Sequence, residues 1–405
     1  MFICYSQQKD VQVNSWQRAK MVNFKRKLDL RALCAEHSLF LFGPRGTGKS
    51  YLIRETLSDE ALIINLLRSG DFNRLSTDPG LLEGMILASG KSLVVIDEVQ
   101  KLPILLDEVH RLIEEKQLRF LLTGSSARKL KRGQANLLAG RARLATLGPL
   151  VYQEIPRFDL GRYLLWGGLP AIQSADDKEL FLESYVETYL KEEVLAEQVA
   201  RNLPNFSRFL KTAALMSGEL LNFSGIASDA QLAVSTAKNY VGALEDTLIG
   251  SLLEPWTESK KRKAIVTAKF YLFDVGVRNY LIGIKSIPEK TELFGQAFEH
   301  FIFMELRAFV SLSRPIRKLF FWRSTGGNEV DFLVGDWLAI EVKSASNVGP
   351  REAKHLMALR EEGTHRVFVV VSNDPLNRHE AGIWYFHWQE FLDRLWNKKP
   401  PFAID

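Results

Sequence analysis

The stretch Gly43-Pro44-Arg45-Gly46-Thr47-Gly48-Lys49-Ser50 constrains this chain more than any other. It follows an apolar run, Leu39-Phe40-Leu41-Phe42, and leads into Tyr51-Leu52-Ile53-Arg54-Glu55-Thr56-Leu57, whose apolar positions have helical spacing. Strand, glycine-rich turn and helix is the context in which G-x-x-x-x-G-K-[ST] becomes a phosphate-binding loop. Lacking side chains, the glycines let backbone N–H groups turn inward on β- and γ-phosphates, and the helix N-terminus adds its positive end. Lys49 supplies a point charge to those oxygens and Ser50 a hydroxyl ligand for Mg²⁺. Residues Gly43 to Tyr51 are therefore the expected contacts of a nucleoside triphosphate.

Downstream residues supply the means of hydrolysis. Ser92-Leu93-Val94-Val95-Ile96-Asp97-Glu98 reads as a buried strand closed by two carboxylates. A parallel strand delivers its C-terminal end to the nucleotide side of the sheet, so Asp97 is expected beside Ser50 in the Mg²⁺ shell and Glu98 as general base for the attacking water. Leu118 to Ser126 forms the next strand and its polar end. Thr123 or Ser125 is placed to sense the γ-phosphate or orient the water; turn chemistry is the alternative for each. A basic loop, Arg128 to Arg132, precedes Leu137-Leu138-Ala139-Gly140-Arg141.

That order of motifs resembles the AAA+ superfamily of ATPases. The resemblance implies ATP as the nucleotide and self-association, with hexamers the usual state. It also implies a trans-acting arginine that completes the neighbouring subunit's site, for which Arg141 is the positional match. A guanidinium there would stabilise charge on the transferred phosphoryl group. The other reading of Arg141 is a surface cation pairing a local acid.

Beyond Gly148-Pro149 and Pro156 comes a compact apolar turn, Tyr163 to Pro170, containing Gly167-Gly168-Leu169-Pro170. Helical spacing from Leu180 to Val199 follows, and the segment reads as a small helical lid. From Phe206 to Trp256 the helices shorten: one starts within Leu220 to Ala227, the next at Ser235, itself a candidate cap. An apolar strand, Ile249 to Leu253, and the cations Lys260-Lys261-Arg262-Lys263 complete a pattern that resembles a winged helix. On that resemblance Ser235, Thr236, Lys238 and Asn239 would face a DNA major groove and the basic run would meet phosphates; a fold used only for protein packing is the alternative.

The last third carries acids and a lysine. Glu329 to Val334 and Leu338 to Lys343 read as a hairpin, and in Glu341-Val342-Lys343 the acid and the lysine share a face because strand side chains alternate. Asp331 on the adjoining strand and Glu299 on the helix beginning at Glu292 can join them. Three carboxylates and a lysine can hold Mg²⁺ and position a water against a phosphodiester. The set resembles the PD-(D/E)xK restriction-endonuclease fold, used either to cut or merely to clamp DNA or a partner.

The expected fold class is α/β. Residues 25–150 form a P-loop AAA+ parallel-sheet domain, 151–205 a helical lid, 206–284 a winged-helix domain and 285–405 a restriction-endonuclease-like domain. Residues 1–24 are an N-terminal extension, and Met1 to Lys20 lacks the apolar core of a signal peptide. From about Lys25 the chain is similar to prokaryotic AAA+ ATPases that carry such a C-terminal domain. Its domain order also resembles the bacterial motor that migrates Holliday junctions. An oligomeric ATP-driven motor on duplex or branched DNA is the first expectation; a nucleotide switch in signalling or defence, or an active Mg²⁺-dependent nuclease, are the alternatives. A net charge of +5 permits nucleic acid without demanding it. Two cysteines in 405 residues exclude a disulfide scaffold and suit the cytoplasm, and no apolar stretch reaches the length of a membrane span.

Overall fold

The computed structural model describes residues 23–125, 141–190, 202–312 and 317–402. The basic loop Arg128 to Arg132, the run Leu137 to Gly140, the last part of the Leu180–Val199 segment and the first twenty residues lie outside them.

The N-terminal part runs α1 (Leu30–Glu36), β1 (Ser38–Phe42), α2 (Lys49–Leu57), β2 (Ala61–Asn65), α3 (Ser69–Thr77), α4 (Leu81–Ser89), β3 (Leu93–Asp97), α5 (Leu105–Lys116), β4 (Arg119–Gly124) and β5 (Ala142–Thr146). Among the described residues these strands form a five-stranded sheet, β2-β3-β4-β1-β5, with every pairing parallel. Strands in such a sheet are covered on both faces, which explains their unbroken apolar runs. Phe40, Phe42, Val94, Ile96, Phe120 and Leu122 face one core with Leu105, Val109 and Leu112 of α5. Leu39, Leu41, Val95 and Leu121 face the other with Leu52, Ile53 and Leu57 of α2. Sequence reading found four of the strands and missed β5, whose Arg143 and Leu144 are exposed at the sheet edge.

The middle part holds α6 (Leu160–Trp166), α7 (Pro170–Ser174) and α8 (Lys178–Ser184), then a π-helical turn, Tyr185–Leu190. The long helix expected from Leu180 is therefore interrupted at Tyr185. Next come α9 (Leu203–Leu215), α10 (Phe223–Asp229), α11 (Val234–Asp246), β6 (Gly250–Pro255), β7 (Lys269–Leu272) and α12 (Val275–Leu281). Ser235 is not the cap of α11: the helix already begins at Val234, and Ala233 occupies the cap position without a side-chain bond.

The last part runs α13 (Glu292–Leu312), β8 (Leu319–Arg323), β9 (Glu329–Val334), β10 (Leu338–Lys343), α14 (Lys354–Arg360), β11 (Val367–Ser372), β12 (Arg378–Glu380), β13 (Ile383–His387) and α15 (Trp388–Trp396). Its sheet has the order β12-β13-β11-β10-β9-β8-β6-β7 among the described residues. Strand β6 joins it in parallel to β8 through Glu254↔Phe320 and Pro255↔Phe321. The division expected at 284/285 therefore does not divide the sheet: the β6–β7 hairpin of the middle part forms its edge.

Helix α13 is the rod that unites the molecule. Its Phe298, Phe301 and Ile302 are fully buried against sheet residues Phe332, Ile340 and Val369, each burial being worth about 1.5–3 kcal/mol. Its C-terminal Leu312 packs on the core that holds α2. Glu305, near its middle, accepts the Tyr152 N–H at 2.5 Å and the Trp396 Nε1–H at 2.8 Å. Burial pushes this carboxyl up to about 8, against the pull of those two donors.

Candidate functional site

The parallel order places the C-terminal ends of β1, β4 and β3 side by side, and the phosphate loop leaves the first of them. Gly46 (φ 81°) and Gly48 (φ 92°) both adopt the left-handed region, which a Cβ would strain. Lys49 is buried and its Nζ donates to the Gly43 and Pro44 carbonyls at 2.6 and 3.2 Å. Thr47 closes the turn, its Oγ1 donating to Pro44 O at 2.9 Å. Tyr51 lies in the first turn of α2, half-buried.

Ser50 Oγ donates to Asp97 Oδ2 at 2.8 Å. Two oxygen donors side by side at the end of a phosphate loop suit a hard cation such as Mg²⁺. Thr123 is the hub of the site. Its Oγ1 donates to Asp97 Oδ1 and accepts the Glu98 N–H at 3.1 Å. Glu98 itself sits at φ 63°, a left-handed conformation that costs a non-glycine residue about 1–2 kcal/mol. Strain of this kind clusters where geometry serves function. Its Oε2 accepts from Gln100 Nε2 at 2.5 Å, and the same Nε2 lies 3.4 Å from Ser125 Oγ. Ser125 thus meets Gln100, while Thr123 meets both acids.

Two supports escaped sequence reading. Arg26 donates from Nη1 to Thr47 O and from Nη2 to Gly148 O, both at 2.8 Å, and pairs with buried Glu154 at 3.0 Å. It ties the phosphate loop to the end of β5; nothing in its local sequence marks it. The second is the Gly167–Pro170 turn, legible as a motif but not in its purpose. Gly168 N donates to Asp274 Oδ2 at 2.8 Å, and Asp274 caps α12 by accepting from Val277 N at 3.0 Å. A Cβ on Gly167 (φ 78°) would fall 2.0 Å from Asp274 Oδ1, so the turn needs glycine there. So anchored, the turn lays Leu169 and Pro170 against the loop: a Cβ on Gly46 would meet Leu169 at 3.8 Å and Tyr185 at 3.2 Å, and one on Gly48 would meet Pro170 at 3.8 Å. Tyr185 OH also donates to Arg45 O at 2.7 Å.

Arg141 immediately precedes β5, whose Ala142 pairs with Ser38 at the start of β1. The phosphate loop follows the other end of β1, about 13 Å away at roughly 3.3 Å per residue. Arg141 is exposed, pairs with Glu114 of α5, and stands at the opposite end of the sheet from its own chain's loop.

The candidate DNA residues divide. Ser235, Lys238 and Asn239 are exposed on the first turns of α11, Thr236 is half-buried, and the Lys238 ammonium lies 5.5 Å from the centre of the Phe223 ring. The basic run is pinned to the last part of the chain instead. The N–H groups of Lys260 and Lys261 donate to Glu362 Oε2 at 2.8 and 2.7 Å, and Arg262 pairs with Glu361 and, at 3.0 Å, with Glu362. Arg262 is thus engaged by carboxylates, while the side chains of Lys260, Lys261 and Lys263 remain exposed.

Glu299, Asp331, Glu341 and Lys343 do converge. Lys343 Nζ lies 2.6 Å from Glu341 Oε1, and Asp331 Oδ2 accepts from Val342 N at 2.7 Å. Burial pushes Asp331 up to about 7 and Glu341 well above the usual range, each raised further by neighbouring carboxylates. A lysine from outside the expected set joins them: Lys269 Nζ lies 2.6 Å from Glu329 and 3.7 Å from Glu299. Among the described residues no three Asp, Glu, His or Cys side chains are disposed to hold a metal ion. Of the expected Mg²⁺ ligands, Glu299 accepts from the Tyr271 hydroxyl, Asp331 from the Val342 N–H and Glu341 from Lys343.

The parallel sheet and its loop are consistent with a P-loop domain of AAA type. Residues 35–156 match the AAA domain family, and this match supports an AAA-type, nucleotide-binding ATPase. Residues 157–287 and 294–391 match two domains of unknown function, DUF8612 and DUF4143 respectively. Among similar proteins, the uncharacterized protein Rv2008c of Mycobacterium tuberculosis is 28% identical over 328 residues, covering 78% of this chain and 72% of its own. The uncharacterized protein MJ1544 of Methanocaldococcus jannaschii is 22% identical over 352 residues, covering 78% and 76%. No helix among the described residues is long and apolar enough to cross a membrane.

Proposed function

We propose that this chain hydrolyses ATP and passes its nucleotide state to the middle and last parts through the Gly167–Pro170 turn and Tyr185. The observation that carries this reading is the hydrogen-bonded line Ser50–Asp97–Thr123–Glu98 at the end of the phosphate loop. The loop N–H groups and Lys49 bind the β- and γ-phosphates. With ATP bound, Mg²⁺ held by Ser50 and Asp97 supplies charge neutralisation across the phosphate oxygens. Glu98, steadied by Gln100, polarises the attacking water and takes its proton. Leu169, Pro170 and Tyr185 lie against the loop, so a shift of its backbone on hydrolysis moves the turn and, through Asp274, helix α12.

Arg141, turned away from its own chain's site, serves a neighbour's site in a self-associated state, a hexamer by analogy with other AAA+ proteins. The α9–α11 trio with its β6–β7 hairpin we read as a winged helix, and the β8–β11 sheet with α13 as restriction-endonuclease-like. Duplex or branched DNA is the proposed partner, on the exposed face of α11 bearing Ser235, Lys238 and Asn239. A nucleotide switch without DNA is the second reading, favoured by the pinning of the basic loop to Glu361 and Glu362. ATPase rates measured with single-stranded, duplex, forked and four-way DNA decide between them. Strong stimulation by one DNA form is expected of the motor; a slow rate indifferent to all four overturns it. Arg141→Ala should abolish turnover while sparing ATP binding, and retained turnover removes Arg141 from the site.

A further inference from the structure

Where β7, α13, β9 and β10 meet, four carboxylates face two lysines. Glu299, Glu329, Asp331 and Glu341 supply the negative charge, and Lys269 and Lys343 answer it. Lys269 is only 5% exposed. Its ammonium is 2.6 Å from Glu329 Oε1 and 3.7 Å from Glu299 Oε1, with the centre of the Phe321 ring 5.4 Å away. Glu299 Oε1 also accepts from Tyr271 OH at 2.6 Å, and Tyr271 is fully buried, its ring stacked on Phe303 at 4.0 Å. Neither Lys269 nor Tyr271 belongs to the strands that carry the Asp331, Glu341 and Lys343 set. Both come from β7, at the sheet edge built by the middle part of the chain.

We propose that Lys269 is the resident cation of this cluster, seated where a divalent ion would otherwise bridge the carboxylates, so that the site is closed to metal and latches the β6–β7 hairpin to α13 and β9. A divalent cation draws six or more oxygen ligands, and it would have to share these carboxylates with an ammonium that repels it. Glu329 and Glu299 already direct carboxylate oxygens at the Lys269 ammonium, and Glu341 directs one at Lys343. The lysine also explains how so many acids persist in one interior: each buried charge has an opposite charge or a donor beside it. This inference is independent of the ATPase reading, since it concerns residues remote in sequence from the phosphate loop.

Binding of Mn²⁺ to the full chain without nucleotide, followed by loss of the free-ion electron paramagnetic resonance signal, tests it. The unaltered chain should bind no Mn²⁺ at this cluster, so Asp331→Asn should leave its Mn²⁺ stoichiometry unchanged. Lys269→Met should gain one bound ion, lose it again when combined with Asp331→Asn, and show a thermal midpoint that rises with Mn²⁺. An ion bound by the unaltered chain and lost in Asp331→Asn overturns the proposal, even if the Lys269 variant fails to fold. A folded Lys269→Met chain that binds no ion overturns it too.

Discussion

Two lysines, both buried, show how differently the two ends of this molecule treat charge. Lys49 donates to the Gly43 and Pro44 carbonyls, dipoles without net charge, at the mouth of a loop whose N–H groups are arranged for an anion. Lys269 is clasped by the carboxylates of Glu329 and Glu299, and its charge is answered from within the fold. The acids differ in the same way. Asp97 is held by hydroxyls, from Ser50 and Thr123, neutral donors that bring no counter-charge to it. Asp331 is crowded by like charges and burial until its carboxyl holds a proton up to about 7. One region sets its acid and lysine around a phosphate loop and the other answers its charges from within the fold, although both are built from acids and lysines.

The largest expected effect lies at the first region. Glu98→Gln keeps ATP binding but removes the general base, and single-turnover hydrolysis should fall by about 10²–10⁴-fold. Unchanged turnover would take Glu98 out of the chemistry. The two lysines then separate by stability. Lys269→Met strands buried carboxylates and should cost about 3 kcal/mol or more in denaturant unfolding. Lys49→Met should cost less than about 1.5 kcal/mol for the bonds to the neutral Gly43 and Pro44 carbonyls, while abolishing nucleotide binding. Equal stability losses would erase the contrast. Gln100→Ala removes one hydrogen bond to the Glu98 carboxylate, worth about 1.5 kcal/mol, and should lower kcat about tenfold with KM for ATP little changed.

The last effect is a pH slope. Glu305 and Asp331 hold protons up to about 8 and about 7 in the fold, against about 4 in an unfolded chain. The folded chain therefore binds more protons between those limits, and its stability falls as pH rises through that window. The thermal midpoint should drop from pH 5 to pH 8.5, with a shallower slope in Glu305→Gln. An identical slope in that variant would assign the effect to other groups.

Much of the nucleotide site was legible because its logic is local. A phosphate loop is eight consecutive residues between a strand and a helix, and Asp97 and Glu98 close a strand whose apolar run announces itself. Gln100 was within reach, two positions beyond Glu98, but a glutamine carries no signal until its partners are seen. Arg26, Tyr185 and Lys269 carried none. Arg26 meets Gly148 across 122 positions and Tyr185 meets Arg45 across 140, separations at which no periodicity speaks. The Glu341–Lys343 pair was visible through strand alternation; that a lysine from β7 would enter the same cluster was not, because β7 reaches it only through the pairing of β6 with β8.

By itself, then, the sequence determined a P-loop α/β domain, the order of its motifs and the convergence of an acid-and-lysine set near the end of the chain. These follow from spacing along one strand, one turn or one hairpin, where neighbours in sequence are neighbours in space. The tertiary structure alone decided which charges stay open to a ligand and which are cancelled. Burial and the sign of the nearest partner set a charge's availability, and both are supplied by segments more than a hundred residues apart or by strands that meet only when the sheet is complete.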